Sequence, residues 1–324
     1  FRKRELIDGT FIVTHLIDDH HDGWRADNYL RTQYKHFSRN KLQKLIDDGR
    51  VVVLDKLIGE KRLKASTTLH PGDRLKVLTA QTEEPPVDLN YGILYEAEHI
   101  LVVDKPGNLP VHPAGKFLFH SLLMKLRADY KREFYLIHRL DRETSGVVLL
   151  AKSSAMAASL VKQFRERTTA KQYYAIVEGC PTEHNFSVDA DIGSDHSSTV
   201  RLKMAAFAKG TSEFSALTHF KVLEKGTSYS LVDCELMTGR QHQIRVHLAH
   251  VGFPVVGDKL YGHSEDAFLN YIHTRTLNDE ERATLKIDRQ ALHSRYLKFY
   301  HEPLGQWLEI ESPLPEDMKR LLSQ

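Results

Sequence analysis

Cysteine is scarce in this chain. Cys180 and Cys234 are the only two among 324 residues, and they form no CxxC pair. That excludes a disulfide framework and a cysteine zinc ribbon, and it fits a reducing compartment. Long hydrophobic runs are missing as well: none reaches the ~18 residues of a membrane span. The opening stretch, FRKRELIDGT, lacks the apolar segment of a secretory signal. We therefore expect a cytoplasmic protein with no membrane partner. Net charge is small, +2 over the whole chain, so this is no polycation. No repeat of fixed period, low-complexity tract, P-loop or GxGxxG is present. What is present is a composition 41% hydrophobic, enough to bury a full core. The length accommodates two domains.

The charge is unevenly placed. Between Arg25 and Lys64 there are eleven Lys/Arg against five Asp/Glu, a local +6, so the rest sums to −4. Such asymmetry suits a basic binding module joined to a near-neutral body. RADNYLRTQYKHF has helical apolar spacing at Ala26, Tyr29, Leu30 and Phe37. Ser38 is a good N-cap for a second helix, RNKLQKLIDDG, with Leu42, Leu45 and Ile46 on one face and Gly49 as its stop. RVVVLD then reads as a strand, and HPGDRLKVL as a turn into another. Arg39, Lys41 and Lys44 fall off the apolar face and, with Arg50, can lie over a phosphate backbone. Arg25 and Asp27 with Leu30, then SRNKLQKLIDDGRV from Ser38, then GDRL resemble the small alpha-L RNA-binding domain. The family's usual VNG after the strand is replaced here by Val53–Asp55, VLD. The resemblance implies RNA contacts from Arg25, Ser38, Arg39, Lys41, Lys44 and Arg50.

TAQTEEPPVDLN, Thr79 to Asn90, has two prolines, three acids and no periodicity, and reads as a linker. The domains are then 1–80 (core about 22–78), a linker at 81–90 and a body at 91–324. In the body ILVVDKP, GVVLLAKS, KQYYAIVEG, THFKVLEK and SYSLVDCELMTG read as strands, and SSAMAASLVKQFRER as a helix. Strands and helices do not alternate regularly. We expect an α+β body with a mixed, largely antiparallel sheet and flanking helices, preceded by a small α/β domain.

One stretch, HRLDRETSG from His138, sets Asp141 among His138, Arg139 and Arg142 at the mouth of an apolar strand. A surface ion pair or strand cap is the ordinary reading of such an aspartate. Asp141 and Glu143 would share one strand face roughly 7 Å apart, a poor arrangement for a glycosidase pair that must flank its bond. A metal nuclease would need further carboxylates, and the nearest DxD is Asp189 and Asp191. A carboxylate among cations suits an ionised nucleophile or base. A second stretch, LMTGRQHQIRVHLAHVGFPVVGDKLYG from Leu236, runs from a strand through Arg240 into a helix. The helix sets Ile244, Leu248 and Val251 on its apolar side. Its His242, His247 and His250 lack the HExxH register and any central Glu, so no metal is expected.

HRLDRETSG, KQYYAIVEG and TGRQHQIRVHLAHVGFPVVGDKLYG, in that order, closely resemble the RluA-type pseudouridine synthases. LYEAEHILVVDKPGNLPVHPAG and RQALHSRYLKFYHEP match the same pattern, so the resemblance runs from about Leu94 to Pro303. It implies isomerisation of uridine in RNA: the base is detached at N1, turned and rejoined through C5. By residue it implies Asp141 as the catalytic aspartate, Tyr173 as the active-site tyrosine and Arg245 as the arginine paired with Asp141. Tyr174 is the rival tyrosine; neighbours on a strand face opposite sides, so only one can serve. Asp141 attacks the ribose at C1′ or takes the proton from C2′, and both remain open. His138, Arg139, Arg142, Arg240 and His242 are assigned to RNA contacts. The reaction needs no cofactor, nucleotide or metal. Large-subunit ribosomal RNA is the first choice of target and transfer RNA the second, with the protein acting as a monomer. The rival class is a ribosome-assembly factor that binds RNA with an idle body.

Overall fold

The structure is a computed structural model that describes residues 2–7, 10–34, 37–55, 59–80, 84–115, 117–274 and 276–323. The chain divides into two compact units, Phe1–Glu84 and Pro85–Gln324.

The first unit contains β1 (Arg2–Ile7), β2 (Thr10–Leu16), α1 (Ala26–Gln33), α2 (Arg39–Asp47), β3 (Val51–Asp55), β4 (Gly59–Arg62) and β5 (Arg74–Ala80). Its five-stranded sheet has the order β1-β2-β5-β3-β4, every pair antiparallel. The apolar faces foreseen for the helices are the buried ones: Ala26, Tyr29 and Leu30 on α1, Leu42, Leu45 and Ile46 on α2. They share a core with Val51, Leu69, Leu75 and Val77. The Ser38 hydroxyl accepts the Lys41 N–H at 3.2 Å, the N-cap bond its position suggests. Gly49 stops the helix at φ +69°, a conformation glycine adopts without a Cβ penalty. Thr79 and Ala80, read as the start of a linker, continue β5 against β2. Residues 81–83 lie outside the described residues.

The second unit runs β6 (Gly92–Glu96), β7 (Ile100–Lys105), α3 (Leu122–Tyr130), β8 (Tyr135–Leu136), β9 (Ser145–Ala151), α4 (Ser154–Glu166) and β10 (Ala170–Glu178). β11 (Asn185–Asp189), β12 (Asp191–Ser194), β13 (Met204–Phe207), β14 (Leu217–Lys225), β15 (Tyr229–Leu236) and α5 (Gln243–His250) follow. The chain then forms α6 (Glu265–Thr274), α7 (Asp279–Leu285), β16 (Leu292–His301), β17 (Gln306–Glu311) and α8 (Glu316–Leu322). Val87 and Leu89, ahead of β6, pack against this unit's core.

The main sheet has the order β11-β14-β15-β10-β16-β9-β7-β6, with β17 on β16 and β8 on β9. All of its pairings are antiparallel except β9 with β16, so the sheet is mixed and largely antiparallel. The parallel contact matters for the site. Ser145 and Gly146 face His293 and Ser294. Gly146 has φ +107°, and a Cβ there would lie 2.1 Å from the Ser294 carbonyl oxygen. Only glycine lets β9 come this close to β16. Val147 to Ala151 on β9 are fully buried, each Val or Leu contributing roughly 1.5–3 kcal/mol. The residues just before β9 are thereby fixed at the edge of the core. No helix among the described residues is long and apolar enough to cross a membrane.

Candidate active site

Asp141 sits in the turn that leads into β9, where the Thr144 N–H donates to its carbonyl at 3.1 Å. Its side chain is one-third exposed and opens into a cleft of about 1430 Å³. Tyr173 and Arg245 line the same cleft, as do His138, Arg139, Arg142, Arg240 and His242. Arg25, Ser38, Arg39, Lys41, Lys44 and Arg50 belong to the other unit.

Arg245 projects from α5, a helix buried on nearly every side from Gln243 to Leu248. That differs from the one-sided helix expected, because β13 and β14 also pack on it. A guanidinium inside such a helix needs carboxylates. Asp258, fully buried in the turn after α5, accepts Arg245 Nε–H at 2.6 Å and one Nη–H at 2.8 Å. The other Nη–H donates to Asp141 at 2.8 Å. The Asp258 carboxylate also accepts the backbone N–H groups of Leu260 and Tyr261 at 2.9 and 3.2 Å. Asp258 thus fixes the guanidinium plane and aims its free edge at Asp141. Burial disfavours the Arg245 cation, but the charges of Asp258 and Asp141 outweigh it and raise its pKa.

Burial likewise opposes ionisation of Asp141, yet His242, Arg245 and the Gln290 amide hold its carboxyl below the usual aspartate value. Arg245 must supply the charge. The His242 ring lies 3.9 Å from Asp141, but burial first and then Arg245 pull its own pKa to about 4. At neutral pH it is uncharged. His242 occupies the left-handed region at φ +57° as the N-cap of α5, a strained position for a non-glycine. Its Nδ1 is hydrogen-bonded to the Tyr261 hydroxyl at 2.8 Å, which orients the ring. Gln290, just before β16, donates to Thr144 Oγ1 at 2.6 Å and reaches Asp141 at 3.5 Å.

Tyr173 lies on β10 opposite a register irregularity in which Gln172 pairs with Tyr296 and Tyr173 with Ser294, so that Arg295 is the extra residue of β16. Burial pushes its phenol up to about 12, with a hydrogen bond to Ser294 opposing and the Asp141 charge adding to the rise. The phenol is therefore neutral at pH 7. Tyr174 points the other way and stacks under the Arg295 guanidinium, 5.0 Å from its ring centre. Of the two tyrosines, Tyr173 shares the cleft with Asp141.

The remaining expected cations differ in what they can offer. His138 adds no charge beside Asp141, contrary to its reading as part of a cationic cluster. Its Nε2 accepts the Leu149 N–H at 3.1 Å and its ring stacks on Phe164. Burial brings it to about 3, so it is neutral. Arg142 is tied to Glu143 at 2.8 Å and lies over the Phe117 and Tyr271 rings. Glu143 also takes the buried Lys259 at 2.9 Å, which removes it as a second catalytic carboxylate. Arg139 is exposed on the cleft, and Arg240 is half-buried there, anchored by Nε–H to the Ser215 carbonyl at 3.1 Å.

Lys105 also enters the electrostatics. It is fully buried and donates to the carbonyls of Pro106, Leu109 and Arg142 at 2.7, 2.9 and 3.0 Å. Burial draws its pKa to about 7, but three acceptors match three ammonium protons and favour the charged form. It clamps the turn after Asp141. Asp189 pairs with Lys209, and Asp191 accepts the N–H groups of Gly210 and Ser212, so neither joins Asp141. Both His247 nitrogens are occupied, by Thr218 and the Ala190 carbonyl. No group of three or more His, Cys, Asp or Glu among the described residues could hold a metal ion.

Asp258, Gln290, Tyr261 and Lys105 escaped the sequence reading. Asp258 carried a signal: a lone arginine inside an apolar helix demands a buried carboxylate, and GDKLYG follows within the same motif.

The site combines one ionised carboxylate, one fixed arginine, a neutral phenol and a large cleft. Comparison with known proteins agrees with that chemistry. The family model described as RNA pseudouridylate synthase matches residues 99–250. The chain is 36% identical over 318 residues to "Ribosomal large subunit pseudouridine synthase D" of Xanthomonas campestris pv. campestris, covering 95% of this chain and 91% of that one. It is 36% identical over 316 residues to "Ribosomal large subunit pseudouridine synthase C" of Escherichia coli (strain K12), covering 93% of each. The solved structure titled "Human RNA Pseudouridylate Synthase Domain Containing 1" matches with a TM-score of 0.57 at 29% identity, over 71% of this chain and 86% of that one. The chain belongs to the RNA pseudouridylate synthase family. It is an RNA-modifying isomerase that converts uridine to pseudouridine.

Proposed function

We propose that this enzyme acts on uridine in large-subunit ribosomal RNA, with Asp141 as its catalytic carboxylate. The observation that carries the reading is the Asp258–Arg245–Asp141 chain of charge-assisted bonds. It keeps one carboxylate ionised, oriented and open to a cleft. The names of the relatives support ribosomal RNA as the target.

A uridine inside folded RNA must leave its stack to reach Asp141, at a cost of a few kcal/mol. Tyr173 offers a ring to the flipped base and a neutral phenol that can move a proton at C5. Asp141, held negative by Arg245, attacks C1′ or takes the C2′ proton. The base then turns within the cleft and rejoins through C5, with no atom gained or lost overall. The exposed cations Arg39, Lys41, Lys44 and Arg50 of the first unit hold phosphates. Arg25 is bonded to its neighbour Asp27 at 3.1 and 2.8 Å, and the Ser38 hydroxyl caps α2, so these two contribute less. Ribosomal RNA as substrate supports a cytoplasmic location.

The test is to map pseudouridines in total RNA from cells with and without the protein. Loss of one or more sites in large-subunit ribosomal RNA is the expected result. Loss confined to transfer RNA would replace the substrate. Free uracil released in place of an isomer would replace the reaction, and no change in any RNA would favour an assembly role.

A further inference from the structure

The wall of the cleft formed by the end of α4 and the start of β10 carries charge that the catalytic constellation does not use. Arg167 caps α4 at φ +58°, a left-handed position usually given to glycine. Lys171, on β10, is half-buried, with its ammonium 5.7 Å from the centre of the Phe164 ring. That ammonium also lies 3.4 Å from where a Cβ on Gly239 would stand, so it rests against bare backbone of the loop between β15 and α5. Arg167, Lys171 and Gly239 all line the cleft that holds Asp141. Arg142, Arg245 and Lys259 each have a carboxylate partner. Among the described residues neither Arg167 nor Lys171 has one within 4.0 Å.

A cation at the end of α4 complements the helix dipole, and this accounts for Arg167 alone. It does not account for Lys171, which stands on a strand. Burial, and then the nearby Arg167 charge, push the Lys171 ammonium below its ordinary value. Two like charges on a partly dehydrated wall repel each other, and a bound anion relieves that repulsion.

We propose that Arg167, Lys171 and the bare backbone at Gly239 form a phosphate subsite for the RNA strand flanking the flipped uridine. The inference rests on the RNA-modifying reading above. Arg167 supplies a planar fork for two phosphate oxygens, and Lys171 a point charge anchored by its stem on Phe164. Such a contact sets the register of the strand over Asp141 and reads no base.

The experiment uses the full chain and a large-subunit ribosomal RNA transcript. Binding is measured against salt for wild type, Arg167→Gln, Lys171→Met, the double variant and Lys171→Arg. Methionine keeps an apolar stem over Phe164 while removing the charge. Each phosphate no longer neutralised should lower the log–log salt slope by roughly 0.7–0.9, and Lys171→Arg should restore it. Interference mapping with randomly phosphate-ethylated transcript should show blocked phosphates beside the modified uridine in wild type and none of them in the double variant. Unchanged slopes, or the same interfering phosphates in the double variant, overturn the subsite. If Lys171→Met fails to fold, the exposed Arg167 still decides the question through its own slope. Failure of the underlying reading looks different: wild type would then form no pseudouridine in the transcript.

Discussion

The two units of this protein use the same guanidinium and ammonium groups in opposite ways. In the first unit Arg39, Lys41, Lys44 and Arg50 are all exposed, and Lys41 merely leans over the Phe37 ring at 4.1 Å. In the second unit Arg245 is 8% exposed, with three donors committed to two carboxylates. An exposed cation keeps its hydration and its freedom, so it follows a phosphate wherever the backbone lies and confers affinity. A buried cation cannot follow anything. Its desolvation is offset only by fixed partners, so its effect is to place another charge. Removing the two kinds should therefore damage different quantities.

The largest effect is expected at the group being placed. Asp141→Asn keeps the shape and loses the charge, and should lower the single-turnover rate by on the order of 10⁴-fold, as removal of a catalytic nucleophile or base does. RNA affinity should stay within a few-fold. A variant that kept a tenth of the rate would remove Asp141 from the catalytic role.

Next come the groups that do the placing. Arg245→Lys retains charge but cannot serve Asp258 and Asp141 with one plane. Asp258→Asn leaves the guanidinium without its anchoring charge. Each should slow turnover on the order of a hundredfold, the usual consequence of displacing a reacting group by about an ångström. Neither should alter the salt dependence of RNA binding. If Arg245→Lys kept its rate and instead weakened binding, Arg245 would join the exposed class, and Arg240 would become the candidate partner of Asp141.

The smallest effect on chemistry is expected from the first unit. Replacing Arg39, Lys41, Lys44 and Arg50 together by Gln should flatten the salt slope by roughly 0.7–0.9 for each phosphate no longer held. The rate at saturating RNA should move far less than affinity does. Equal slopes for the variant and wild type would show that this unit does not hold RNA.

The same division explains what could be read from sequence. The helices α1 and α2 were legible because period and caps are local: Leu42, Leu45 and Ile46 with Ser38 and Gly49 define α2 within a dozen residues. β7, β9, β10, β14 and β15 were legible from short Val/Ile/Leu/Tyr runs. β1 and β2, with charged and apolar residues mixed, were not read, nor was β16, whose parallel pairing with β9 joins residues far apart in the chain. Asp141 was visible because its motif is compact. The Arg245–Asp141 contact spans 104 positions, and only the resemblance suggested it. Asp258 went unread because a carboxylate in a turn looks like a surface residue until the helix before it proves to be buried. His138 was misread for the matching reason: its neighbours in sequence are cations, but its neighbours in space are Phe164 and the Leu149 backbone.

The central claim is that a buried arginine keeps Asp141 ionised. Burial alone would raise the Asp141 carboxyl; His242, charged once pH falls toward 4, Arg245 and the Gln290 amide lower it instead, and of these Arg245 alone carries its charge at neutral pH. A carboxylate whose folded pKa lies below its unfolded one contributes stability above the unfolded value, and that contribution is lost as pH falls through the folded value. The direct measurement is a titration of the Asp141 carboxyl carbon by NMR with labelled aspartate, over the range in which the protein stays folded. Asp141 should remain mostly ionised at about pH 4, where a free aspartate side chain is half protonated. Arg245→Gln should move the midpoint upward. A wild-type midpoint at or above the free value would contradict the claim.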